Sequence, residues 1–195
     1  MRNSIFLAIY SSPTALQLRK FRPQGVQSPF AAIGGISLTS DGFGNVYAFN
    51  GSLIKFTPSG VQSILATGLS TTNGFYGLAA DSKGDIFTLD SPTKSIIEFS
   101  PTGIKSTFAT GLTIGIDDGL AIDSANNLFI SNSFDGTILK FTPGGVRSTF
   151  VSGLSTDPES LTFGPPAIVP EPSTALFAVG LIFVGSISMT RKQKR

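Results

Sequence analysis

The chain has 195 residues, 41% hydrophobic and only 13% charged, with 22 glycines, 12 prolines and 17 phenylalanines; this suits one buried core built from short strands and tight turns rather than helices. Its formal charge of +2 is unevenly placed, because Arg191, Lys192, Lys194 and Arg195 close the chain while residues 1–170 hold ten basic and eleven acidic side chains, leaving no basic face for nucleic acid. Cysteine and histidine are both absent, which excludes disulfides, thiolate metal sites, thiol nucleophiles and imidazole bases and leaves any chemistry to carboxylates, tyrosine, lysine and hydroxyls.

From the N-terminus, residues 3–33 contain three apolar segments, Ile5 to Tyr10, Leu16 to Phe21 and Val26 to Phe30, the last two joined by a Pro23-Gln24-Gly25 turn. They read as strands. A secretory leader over residues 1–15 is the less favoured alternative, since Ile5 to Tyr10 is a short apolar core without a small-residue cleavage site.

The next three segments are copies of one another: 36–69, 77–112 and 119–154. Gly77 to Leu112 reads GLAADSKGDIFTLDSPTKSIIEFSPTGIKSTFATGL and Gly119 to Leu154 reads GLAIDSANNLFISNSFDGTILKFTPGGVRSTFVSGL. Phe56, Phe99 and Phe141 mark equivalent points, 43 and 42 residues apart, a spacing in the range of propeller blades. Each copy predicts four antiparallel strands, in the second at Gly77 to Ala80, Ile86 to Leu89, Ile96 to Phe99 and Ile104 to Phe108. Asp41, Asp81 and Asp123, each followed within three residues by Gly or Asn, fit the first turn, and Pro58-Ser59-Gly60, Pro101-Thr102-Gly103 and Pro143-Gly144-Gly145 the third. The first strand is rich in small residues such as Gly77, Ala79 and Ala121, as a crowded central axis requires. The segment 3–33 matches strands two, three and four of such a unit. Residues 160–164, SLTFG, match a first strand and are expected to close the array.

The fold class expected is therefore all-β: a partial or four-bladed β-propeller of four-stranded antiparallel blades, followed by a single C-terminal transmembrane helix. The units resemble NHL-type and streptogramin-lyase-type propeller repeats, chiefly in the Asp-x-x-Gly/Asn-Asn/Asp-apolar-Phe stretch. Those families close with six or seven blades, so two readings stand: a compact four-bladed ring, or the C-terminal part of a longer propeller, which is favoured. An open arc would leave apolar sheet faces uncovered and is expected to self-associate.

A Pro-rich linker, 165–174, follows and contains Pro170-Glu171-Pro172. Ser173 to Thr190 carry no charge, and as a helix they reach roughly 27 Å, close to the ~30 Å hydrocarbon core. The expected membrane helix is 175–190. Arg191, Lys192, Lys194 and Arg195 form a basic tail, 191–195, that acts as a membrane stop and by the positive-inside rule stays cytoplasmic, placing the repeats outside. This three-part ending resembles the PEP-CTERM sorting signal of Gram-negative bacteria, whose tail is recognised by exosortase, a membrane-embedded cysteine protease. The resemblance implies that Pro170, Glu171 and Pro172 are the sorting motif. It also implies that the inner membrane and exosortase are partners, and that the destination is the cell surface or exopolysaccharide matrix.

Catalytic candidates are few. Asp41, Asp81 and Asp123 recur in every copy and read as turn caps, whereas catalytic residues normally occur once. Adjacent Asp117 and Asp118 supply too few ligands for Ca²⁺. Lys83, Lys94 and Asp135 read as exposed loop charges. The expectation is a non-enzymatic protein with no metal and no cofactor, whose propeller binds exopolysaccharide or another surface protein. The alternative is a truncated or degenerate propeller lyase or lactonase.

Overall fold

The computed structural model describes residues 6–11, 16–21, 27–32, 37–69, 75–113, 119–154 and 161–163. They form fifteen strands and no helix. β1 (Phe6–Ser11), β2 (Leu16–Phe21) and β3 (Gln27–Ala32) make a three-stranded sheet. Three four-stranded sheets follow: β4 (Ser37–Ser40) to β7 (Gln62–Ala66) through β5 (Val46–Phe49) and β6 (Leu53–Phe56); β8 (Phe75–Ala80) to β11 (Lys105–Ala109) through β9 (Ile86–Asp90) and β10 (Ser95–Phe99); and β12 (Leu120–Ile122) to β15 (Arg147–Val151) through β13 (Leu128–Asn132) and β14 (Thr137–Phe141). Every pairing is antiparallel between strands consecutive in the chain. Each sheet is a meander, as the turn chemistry predicts.

The third turn shows how local sequence sets this geometry. Val61, Ile104 and Val146 donate their amides to Thr57 Oγ1, Ser100 Oγ and Thr142 Oγ1 at 3.1, 3.1 and 3.2 Å. The glycine before each sits at positive φ: Gly60 +88°, Gly103 +86° and Gly145 +79°. Proline enters the turn and glycine takes the left-handed position a side chain resists. Because Ile104 is held inside its turn, β11 begins at Lys105, one residue later than the sequence pattern suggests. β8 begins earlier than expected, at Phe75.

A register shift of the β-bulge type recurs between the third and fourth strands, at Leu53/Ile54, Ile96/Ile97 and Ile138/Leu139. β2 and β3 carry the same shift at Leu18/Arg19. Since a bulge re-aims the strand and increases its twist, this match places β1, β2 and β3 in the geometry of second, third and fourth strands.

The core lies between sheets. Tyr47, Phe49 and Leu53 of the first four-stranded sheet pack against Leu78, Ile86, Ile97 and Phe99 of the second. Ala79, Phe87, Leu89 and Ile96 of the second pack in turn against Leu120, Leu128, Ile130 and Phe141 of the third. The inner strands touch in series, β4 against β8 and β8 against β12. This repeats the face-to-face stacking of propeller blades. Outer strands β7, β11 and β15 are mostly exposed.

Of the expected closing strand 160–164, residues 161–163 are described; they belong to no sheet, and among the described residues β1–β3 has no fourth strand. Asp117 and Asp118, the Pro170-Glu171-Pro172 motif, the expected membrane helix at 175–190 and the basic cluster Arg191, Lys192, Lys194 and Arg195 lie outside the described residues.

Candidate functional site

The recurring carboxylates stand where each inner strand ends and turns into the second. Asp41 Oδ1 accepts the amides of Phe43 and Asn45, both at 2.9 Å. Asp81 Oδ1 does the same for Lys83 and Asp85 at 2.8 and 2.9 Å, and Asp123 Oδ1 for Ala125 and Asn127 at 2.9 and 2.8 Å. The main chain closes around each: Asp41 N donates to Asn45 O, Asp81 N to Asp85 O and Asp123 N to Asn127 O. The fourth residue of the turn is left-handed, at φ +83° in Gly44, +88° in Gly84 and +60° in Asn126, which is why only Gly or Asn stands there. Each aspartate is thus spent on its own turn.

Two additions tie turns to what surrounds them. Tyr47, standing where the other copies have Phe87 and Phe129, donates its hydroxyl to Asp41 Oδ2 at 2.9 Å within the core. Burial, then the hydrogen bond and negative charge of Asp41, hold this phenol well above the usual tyrosine range, which suits the donor role it takes toward Asp41. Between sheets, Asn126 Nδ2 donates to Ser82 Oγ at 2.8 Å and accepts the Ser82 amide on Oδ1 at 3.0 Å. The second turn is thereby latched to the third.

The second turn differs at one position. Asn45 and Asn127 donate Nδ2 to Asp41 Oδ2 and Asp123 Oδ2 at 2.7 and 2.8 Å, but the second copy has Asp85, a carboxylate facing a carboxylate. Burial, then the charges of Asp81 and Glu98, raise the Asp85 pKa, partly opposed by Lys83. A carboxyl whose folded pKa exceeds its unfolded one, about 3.9, favours folding in acid and loses that contribution as pH rises through the folded value. Asp85→Asn supplies the missing donor and removes the repulsion. We expect it to raise stability by about 1 kcal/mol near pH 7, the net worth of a typical hydrogen bond at a partly solvated site, and by less below pH ~3, where Asp85 is protonated in both states. Urea midpoints of the two proteins at both pH values check this.

At the opposite ends of the strands, Asn132 Oδ1 caps the amides of Phe134 and Asp135, and its Nδ2 reaches Asp135 Oδ2 at 3.0 Å. The Lys94 ammonium stands over the Phe134 ring at 5.9 Å. Lys83, Lys94 and Asp135 are exposed, as the sequence suggests. Among the described residues no three of His, Cys, Asp or Glu converge to hold a metal. Val61, Ile104 and Val146, equivalent positions beside the third turn, are 62, 70 and 67% exposed, so one exposed apolar residue recurs in each four-stranded sheet. Sequence reasoning missed the Tyr47–Asp41 and Ser82–Asn126 pairs. The first has a signal, a tyrosine at a phenylalanine position of the repeat; the second has none, because it joins different copies.

No family profile matches the chain, and no curated protein matches it by sequence. Solved structures do match. A chain of the nidogen/laminin complex is 18% identical, with a TM-score of 0.65 over 83% of this chain and 66% of that one. A structure described as a putative gluconolactonase is 16% identical, TM-score 0.60, covering 84% of this chain and 66% of that one. A Staphylococcus aureus virginiamycin B lyase with quinupristin, a histidine-to-alanine variant described as catalytically inactive, is 14% identical, TM-score 0.58, covering 82% and 59%. At these identities the likeness carries the propeller-like fold alone. The chain spans about three-fifths to two-thirds of the length of these structures.

Proposed function

We propose that this chain is a non-enzymatic propeller-type binding or scaffold module, exported and held at the membrane by its tail until an exosortase-type protease delivers it to the cell surface or matrix. The observation that supports the non-enzymatic half is the structural use of the recurring carboxylates: Asp41, Asp81 and Asp123 each cap two backbone amides through Oδ1. The chain also has no histidine, whereas the lyase it resembles in fold is described as inactive once a histidine becomes alanine. Binding then falls to repeated exposed groups such as Val61, Ile104 and Val146, and a surface of this kind suits a polymer or a second surface protein.

The export half rests on sequence. Pro170 and Pro172 keep the motif extended, and the uncharged run from Ser173 to Thr190 ahead of Arg191, Lys192, Lys194 and Arg195 orients the chain with its body outside. Co-expression with an exosortase tests this: the body is expected to lose its tail and leave the membrane fraction, while a variant with Pro170, Glu171 and Pro172 all changed to alanine stays full-length and membrane-bound. Equal processing of both would refute the motif's role.

The second reading, a degenerate lyase or lactonase, is favoured by the fold of its solved neighbours. Turnover of an aldonolactone or of a streptogramin B by the purified chain, abolished by Asp81→Asn, would establish it in place of the first.

A further inference from the structure

The joint between neighbouring sheets is built from the same positions each time. In the second sheet, the Phe87 ring meets Phe108 edge-on at 5.1 Å and 81°, and Phe141 of the following sheet stands 6.2 Å from Phe108. The first joint repeats this with Tyr47, Leu65 and Phe99. The last residue of the following inner strand, Ala80 or Ile122, packs onto the same cluster.

The third sheet carries the first half of a further joint. Phe129 meets Phe150 at 5.1 Å and 83°, nearly superimposable on the Phe87–Phe108 pair. Phe163, equivalent to Ala80 and Ile122, lies on Phe129 at 5.1 Å. Residues 161–163 therefore take the place of the inner strand of a next blade, lining an apolar hollow with Ala121, Phe129, Ile138 and Phe150. The third aromatic is absent among the described residues. Phe150 is 44% exposed in consequence, while its counterparts Leu65 and Phe108 are half-buried.

One part of the chain matches what this joint lacks. β1–β3 has the register of second, third and fourth strands, and Phe21, opposite Phe6 and Gln27, holds the place that Phe141 holds opposite Leu128 and Arg147. Among the described residues it is three-stranded. Among the described residues, β1–β3 is not packed against β12–β15 within one chain.

We propose that the Phe129/Phe150 face is a blade-accepting interface whose occupant is β1–β3 of a second copy, which adds three strands to residues 161–163 and completes a fourth blade. The register follows from Leu38 opposite Ala48 and Thr39 opposite Tyr47: Leu161 pairs with Ala8, and Thr162 with Leu7, of the next copy. The contact is head-to-tail, so it repeats from copy to copy.

The chain has no cysteine, which makes the test direct. Full-length Thr162→Cys and Leu7→Cys chains, prepared separately in mild detergent, are mixed and oxidised; opposed strand residues lie within disulfide reach. The expected result is a mixed disulfide dimer at least tenfold more abundant than either chain gives alone, with Phe150→Asp in the Thr162→Cys chain removing it. The chain carrying both cysteines then forms a ladder of linked copies. An internally linked monomer from that doubly substituted chain, without a mixed dimer, overturns the proposal in favour of a ring closed within one chain. Absence of any position-specific disulfide, with sedimentation unchanged by Phe150→Asp, overturns it outright.

Discussion

Phe141→Ala is expected to lower the unfolding free energy by about 3–5 kcal/mol, the usual cost of deleting a buried phenylalanine. Phe141 is 1% exposed and wedged between sheets, packed with Phe87, Leu128 and Ile130 and 6.2 Å from the Phe108 ring. In a blade array each sheet is stabilised chiefly by its neighbours, so a cavity at the joint weakens both sides at once. Phe150→Ala, measured at a dilution that keeps copies apart, is the internal control: the same chemistry at a half-open joint should cost about 1 kcal/mol or less, because much of the ring is then in water. Equal losses in the two variants, read from urea midpoints, would mean that stability is not concentrated between sheets.

Gly103→Ala is expected to be comparably severe, about 3 kcal/mol or more, through backbone rather than volume. The residue lies at φ +86°, and an added Cβ would collide with the carbonyl oxygen of Leu65 on the preceding sheet. Left-handed strain costs about 1–2 kcal/mol, and overpacking against a fixed carbonyl adds roughly 1–3 kcal/mol. Gly145 occupies the same position of the next copy at φ +79°, yet its nearest neighbour, Phe108 O, would be 3.7 Å from the new Cβ. Gly145→Ala should therefore cost only the strain. A chevron or equilibrium comparison that finds the two substitutions equivalent would remove close approach from the account and leave only the torsional preference.

The contrast between these glycines shows what a sequence conveys about such a fold. Strand order, turn chemistry and the roles of Asp41, Asp81 and Asp123 were readable because each is a relation within one copy: an aspartate and the amides two and four residues on, a glycine and the proline two before it. Relations between copies left no such trace. Gly103 and Gly145 look alike in sequence, and only the approach of Leu65 separates them; Ser82 and Asn126, 44 residues apart, are ordinary turn residues until two sheets are stacked. Residues 161–163 repeat the first-strand pattern of Leu38 and Thr39 faithfully but join no sheet, since a strand needs a partner as well as a pattern. Tyr47 was half legible, its departure from the phenylalanine of the other copies visible and its bond to Asp41 not. For the candidate site, the recurrence of the aspartates pointed to a turn-capping role before any geometry was known, and the two amides on each carboxylate show that role.

The proposed export requires the body to lie outside the cytoplasm. The direct measurement is protease accessibility in cells that lack the sorting protease and whose outer membrane has been permeabilised while the inner membrane is sealed. The repeats, residues 3–164, are expected to be digested with the tail at 191–195 protected. A protected body beside a digested tail, or a chain wholly in the soluble cytoplasmic fraction, would contradict it.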